Sequence, residues 1–165
     1  MSYSGVDPVN GVAKTLGGVT VTFDGQAAPL FYVSGGQIDA QVPYETGGHT
    51  ATNIVITYNN NSSAPVNVPV VAAKPGITGY NGQALILNAV TGAIVDAEHP
   101  ISRGGYVTLY GTGCGVVSPS VATGMGALAL PLSWASKPQA KIAGETPDQA
   151  YIGGGPVSTV SIAIQ

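Results

Sequence analysis

Short runs of alternating apolar and polar residues, separated by turn residues, limit most strongly what this chain can fold into. In Val19–Phe23 and Ile54–Tyr58 the larger apolar side chains recur at every second residue, a period that places them on one face of a strand. Pairs such as Asp24-Gly25 and Gly47-Gly48 follow or separate such runs and indicate tight turns. No run of ten or more residues has the 3.6-residue period of a helix, so the sequence predicts an all-β fold of sandwich type.

Ten strands are predicted from this alternation and from the Gly, Pro and Asn residues between the runs. Their expected bounds are Val19–Phe23, Ala28–Val33, Gln37–Val42, Thr50–Tyr58, Val66–Val71, Ala84–Asn88, Tyr106–Tyr110, Gln139–Ile142, Gln149–Ile152 and Val157–Ile164. Hydrophobic residues make up 44% of the chain, which is enough to fill the core of such a fold.

The charge of the chain excludes one class of partner. Five basic and eight acidic residues give a net charge of −3, and the basic residues are scattered. Nucleic-acid binding needs a stripe of Lys and Arg, so we exclude it. No apolar run approaches the roughly 18 residues of a membrane span. The weakly charged, Thr-, Ser- and Asn-rich composition favours an extracellular or cell-surface location, with any export signal outside this chain.

An internal repeat divides the chain. Tyr32–Gly36 resembles Tyr151–Gly155, and Pro65–Val70 resembles Thr159–Ile164, but the second copy has no counterpart of Gln37–Asn61. Repeats of this kind indicate tandem structural modules. The sequence therefore predicts two immunoglobulin-like β-sandwich modules. The first, residues 1–78, lacks an opening strand, and the second, residues 79–165, lacks two internal strands.

Several segments resemble a known family. They are Thr15–Val21, Ala28–Ser34, Gln37–Glu45, Arg103–Gly113 and Gly115–Pro119. In these segments the chain is similar to the Solibacter-type C-terminal domain family, found at the ends of large exported bacterial proteins. The resemblance implies tandem immunoglobulin-like modules of the IPT/TIG kind and an exported location. That family has no established activity, so the resemblance implies no reaction.

The residues with reactive side chains do not form a catalytic pattern. Cys114 has no His or Lys near it in the sequence, and His49 and His99 could approach it only through the fold. Asp96 and Glu98 could hold a structural Ca²⁺ with backbone carbonyls, but the usual calcium-loop pattern is missing. We therefore expect no enzyme activity, no catalytic or metal-binding residues and no cofactor.

The missing strands suggest a structural or adhesive function. A sandwich without a strand exposes unpaired backbone groups and part of its apolar core, which an extended segment of another chain can cover. The candidate exchange segment is the last strand, with Val157, Val160, Ile162 and Ile164 as its apolar residues. We therefore expect self-association, or binding to another surface protein, and head-to-tail exchange would produce a filament.

The alternative function is carbohydrate binding. Exposed aromatic rings form stacking platforms for sugars, and the candidate residues are Trp134, Tyr106 and Tyr110. Tyrosines on strands also serve as cross-strand pairs or as partly buried core residues. Whether these rings share one exposed face distinguishes the two interpretations.

Overall fold

The computed structural model describes residues 1–7, 11–126, 131, 133–135, 150–153 and 158–163. These residues form antiparallel strands, turns and one 3₁₀ helix, Tyr44–Thr46, so the prediction of an all-β fold is confirmed. None of the helical structure in this part of the chain is long and apolar enough to span a membrane.

The chain divides into two units. The first unit contains Met1–Ala72 together with Ala122–Gly126, and the second contains Ala73–Val121 together with Ala127–Gln165. The boundary thus lies six residues before the expected one, and the first unit takes a short segment from the second half of the chain. The sequence gives no sign of this insertion.

The first unit contains two main sheets. Its strands are β1 Tyr3–Ser4, β2 Val6–Asp7, β3 Gly11–Val12, β4 Val19–Phe23, β5 Gln26–Ala27, β6 Leu30–Val33, β7 Ile38–Ala40, β8 Ala51–Tyr58, β9 Asn61–Ser62 and β10 Val66–Pro69. A three-stranded sheet has the order β1-β6-β7, and a five-stranded sheet has the order β10-β8-β4-β5, with β9 beside β8.

The core of the first unit lies between these two sheets. β4 contributes its three apolar residues, and the chain from Ala28 to Val33 contributes the other side; the buried cluster is Val19, Val21, Phe23, Ala28, Leu30 and Val33. Burying a side chain the size of Val, Leu or Phe stabilises the fold by about 1.5–3 kcal/mol. The alternation in β4 is therefore explained by a single buried face.

The turn between β4 and β5 explains why β4 ends at Phe23. Asp24 and Gly25 both have positive φ, 48° and 85°, as a two-residue type I′ hairpin turn requires. The Asp24 carboxylate accepts hydrogen bonds from the backbone N–H of Asn53 at 2.9 Å and from its side-chain amide at 3.0 Å. The backbone hydrogen bond is the main reason why the pKa of Asp24 lies below its usual value.

The described residues of the second unit form one larger sheet and two small ones. Its strands are β11 Gly76–Ile77, β12 Gly79–Tyr80, β13 Gln83–Ala84, β14 Ile86–Asn88, β15 Tyr106–Thr112, β16 Val117–Ser118, β17 Trp134–Ala135, β18 Ala150–Gly153 and β19 Ser158–Ala163. The larger sheet has the order β11-β15-β19-β18, with β14 also beside β15. The strand expected at Gln139–Ile142 lies outside the described residues.

The repeated segments occupy different positions in the two units. In the second unit β18 pairs directly with β19. The segments that they resemble, β6 and β10, belong to different sheets of the first unit. In the first unit the residues between β6 and β10 form β7, β8 and β9, and the second copy has no counterpart of most of this stretch.

Candidate functional site

One face of the five-stranded sheet extends beyond the core that it helps to form. Residues directly opposite each other in an antiparallel pair point to the same face. Ile54 lies opposite Phe23, Ile56 opposite Val21 and Tyr58 opposite Val19. Ile54, Ile56 and Tyr58 therefore point to the same side of the sheet as the buried residues of β4.

The cover over this face is incomplete. Ile54 packs against the core, but Ile56 is 39% exposed and Tyr58 is 54% exposed. Val66 of β10 lies opposite Ile54, on the same face, and is 60% exposed. We call Ile56, Tyr58 and Val66 the open face. A contiguous apolar surface of this kind is a typical feature of an interaction site.

The edge strand beside the open face is protected against strand addition. Val70 donates a backbone hydrogen bond to Thr50 across the β8–β10 pair, so the backbone groups of Pro65, Asn67 and Pro69 point away from β8. Proline has no N–H, which leaves Asn67 as the donor among these three positions. Prolines on an edge strand prevent pairing with another chain.

The candidate exchange segment has partners in its own chain. β19 pairs with β15 along one side, from Tyr106 opposite Ala163 to Gly111 opposite Ser158, and with β18 along the other. Val160 and Ile162 are thus in a central strand of their own unit. Val157 and Ile164 lie outside the described residues. In this structure the last strand completes the second unit.

The three candidate aromatic residues do not lie on one strand. Tyr106 and Tyr110 are both on β15 and point to the same face, about 13 Å apart at 3.3 Å per residue. Tyr106 is 56% exposed, whereas Tyr110 is half-buried. Trp134 is on β17, which pairs with β16 in a separate two-stranded sheet. The three rings therefore belong to two different sheets. Tyr106 is the most exposed of them.

The two histidines each lie beside an aspartate at the surface. His49 Nδ1 is 3.7 Å from Asp24 Oδ2, and His99 Nδ1 is 3.0 Å from Asp96 Oδ1. A triad would also need a nucleophile within hydrogen-bond distance of the imidazole. Cys114, the candidate nucleophile, is buried, whereas the side chains of His49 and His99 are both exposed.

The candidate calcium ligand Asp96 is engaged in its own loop. Its Oδ1 accepts hydrogen bonds from the backbone N–H groups of Glu98, at 2.9 Å, and His99, at 2.7 Å. The second of these is the main reason why the pKa of Asp96 lies below its usual value. Among the described residues, no three His, Cys, Asp or Glu side chains are grouped to hold a metal ion.

The segment Ala122–Gly126, which we call the strap, is a feature that the sequence did not reveal. Gly124 accepts a hydrogen bond from Val12 N–H at 2.8 Å and donates one to the side-chain oxygen of Gln41 at 2.8 Å. Thr123 Oγ1 accepts from Tyr44 N–H at 3.0 Å and donates to Glu45 Oε2 at 2.6 Å. The strap therefore links β3 to the segment after β7.

The alternating polar residues Gln37, Asp39 and Gln41 have different partners. The Gln37 side chain donates to Asp39 at 2.8 Å, and both residues are exposed. Gln41 instead holds the strap. The amide oxygen of glutamine can accept a backbone N–H in this way.

We expect the strap to weaken in acid. The Thr123 hydroxyl is the main reason why the pKa of Glu45 lies below its usual value. A lowered pKa in the folded state stabilises the protein above the unfolded-state pKa of about 4.3, and this contribution is lost as the pH falls through the folded-state pKa. The urea midpoint of the natural chain should fall between about pH 6 and pH 3. Thr123→Val removes the hydroxyl, so its midpoint should fall by less over the same range. Thr123→Ser is the matched control and should behave like the natural chain; equal pH dependence of all three proteins would contradict the assignment.

No protein-family model, curated protein or solved structure matches this chain. The resemblance to the Solibacter-type family therefore stays a prediction.

Proposed function

We propose that this chain is a non-catalytic structural or adhesive module, exported to the cell surface, that associates with a second copy of itself. The observation that supports the proposal is the open face, where the core-facing side of the five-stranded sheet remains accessible at Ile56, Tyr58 and Val66. Sheets pack face to face about 10 Å apart through such side chains. The second copy would complete the cover that the three-stranded sheet leaves unfinished.

A second copy is favoured because the open face carries no charge. Its three residues are apolar or aromatic, and the net charge of −3 is small for a chain of 165 residues. A two-fold axis brings the same patch of both copies together, and identical uncharged patches meet without electrostatic repulsion. The area offered by three side chains is small compared with a standard interface of about 800 Å² per partner, so we expect weak association.

Face-to-face contact fits this structure better than strand exchange. The last strand is paired along both sides within its own chain. The edge at β10 presents Pro65 and Pro69 on its outer side, so an added strand would lose hydrogen bonds there. Exchange would require the second unit to release β19 before any contact with another copy is gained.

Light scattering over a range of concentrations tests the proposal. From about 10 µM to about 1 mM the natural chain should shift from monomer towards dimer, as expected for weak association. Val66→Lys places a charge on the open face and should keep the chain monomeric over this range. Lysine is tolerated by the isolated monomer because Val66 is already largely exposed.

The matched control is Val90→Lys, which makes the same change at an 83% exposed valine of the second unit. It should dimerise like the natural chain. Tyr58→Ser provides a second variant of the open face, and its urea midpoint shows whether folding is preserved. A natural chain that stays monomeric at the highest concentration, or a Val66→Lys variant that still dimerises, would overturn the proposal.

A further inference from the structure

A shallow groove of about 410 Å³ lies beside Tyr106 in the second unit. One wall is formed by Asn88 at the end of β14 with Val90 and Thr91 of the following turn, and the other by the loop before β15, which includes Ser102. The volume is at the lower end of the range of small-molecule sites, about 300–1,000 Å³. The groove therefore suits a ligand smaller than a typical cofactor.

Both walls are held in shape by hydrogen bonds of the chain itself. Asn88 Oδ1 accepts from the backbone N–H of Val90 at 2.9 Å and of Thr91 at 3.1 Å. In the opposite loop Gly105 N–H donates to the Ser102 carbonyl at 3.0 Å. A ligand would thus enter a site that is already formed, which lowers the entropic cost of binding.

The lining combines an exposed aromatic ring with uncharged polar groups. Tyr106 is 56% exposed, and Asn88, Thr91 and Ser102 are uncharged polar residues among those that line the groove. Of the described residues that line the groove, none is charged. An anionic or cationic ligand would find no counter-charge there.

We propose that this groove binds a neutral pyranose sugar, with one face of the ring stacked on Tyr106. A pyranose has an apolar face of C–H groups that packs on an aromatic ring, and hydroxyl groups around its rim that bond to amides and hydroxyls. Tyrosine offers such an amphipathic surface. The site lies outside the open face, so it does not depend on self-association.

An extended proline-rich peptide fits the same groove less well. Domains that bind such peptides provide grooves lined with several aromatic residues. Here a single tyrosine is joined by Val90, Pro100 and Ile101. A single aromatic ring among small apolar and uncharged polar residues matches one sugar ring better than a repeating peptide.

Saturation-transfer NMR on the full chain tests the site with four probes: the methyl glycosides of glucose, galactose, mannose and N-acetylglucosamine. We expect at least one to receive saturation on the C–H protons of a single ring face, with a dissociation constant of about 1 mM. Tyr106→Ala should weaken that binding by at least about tenfold.

The matched control is Tyr80→Ala, because Tyr80 is a 47% exposed tyrosine of the same unit that does not line the groove. It should bind like the natural chain. Ser102→Ala leaves the backbone hydrogen bond of the loop in place and should also weaken binding. That result would show that the Ser102 hydroxyl contacts the sugar. No saturation transfer to any of the four glycosides, equal transfer in Tyr106→Ala, or binding of a decaproline peptide in their place would overturn the proposal.

Discussion

Alanine in place of Gly124 should lower the free energy of unfolding by about 2–5 kcal/mol. Gly124 is buried in the strap with φ of +89°, and a Cβ there would lie 2.9 Å from Pro29 Cγ and 3.4 Å from the Val12 carbonyl oxygen. A left-handed backbone costs an L-residue about 1–2 kcal/mol. Overlap with a packed neighbour adds about 1–3 kcal/mol. Urea denaturation followed by circular dichroism measures the sum.

Gly126→Ala is the control for this prediction. It makes the same substitution two residues further along the strap, where no atom lies within 4 Å of the added Cβ. We expect a change within about 0.5 kcal/mol. If the two variants unfold at the same urea concentration, the strap is not packed against Pro29 and Val12 in solution.

Leu30→Ala should be at least as destabilising, by about 2–5 kcal/mol. Leu30 has no exposed surface and belongs to the buried cluster between the two sheets of the first unit. Its backbone is fixed as well, because Leu30 N–H donates to the Ala13 carbonyl at 2.7 Å. The surrounding strands therefore cannot close fully around the space that the shorter side chain leaves.

Val42→Ala is the control for Leu30→Ala, because it shortens an apolar side chain that is not part of the core. Val42 belongs to the same unit and is 53% exposed, so its truncation should change the free energy of unfolding by less than about 0.5 kcal/mol. The comparison uses denaturation curves of both variants with the same slope, so that midpoints report stability. Equal midpoints would place Leu30 outside the core.

The bounds of a strand in the first unit could be predicted where turn residues next to it in the sequence end the strand. β4 has the expected bounds Val19–Phe23, because its alternation ends at Asp24-Gly25, a pair suited to the positive φ values of the turn. β7 is shorter than the expected Gln37–Val42 and covers Ile38–Ala40. Beyond Ala40 the Gln41 backbone N–H still donates to the Pro29 carbonyl at 2.9 Å. The Gln41 side chain binds the strap, an interaction that no local pattern encodes.

The open face could be predicted only in part. Alternation in β8 shows that Ile54, Ile56 and Tyr58 share a side, but it does not show how far the opposing sheet extends over them. That depends on the three short strands β1, β6 and β7, of which β1 pairs with β6 across about 30 residues of sequence. Tyr106 was predicted as a candidate ring for sugar stacking, but the groove beside it was not, because its walls come from two separate segments of the chain.

The position of the strap along the chain has a consequence for biosynthesis. Thr123 and Gly124 emerge from the ribosome 79 and 83 residues after the positions to which they bond, Tyr44 and Gln41. At about 5–20 residues per second this leaves several seconds in which the nascent first unit has no partner for Val12 N–H. The first unit can therefore finish folding only after Ala73–Val121 and the strap have been translated.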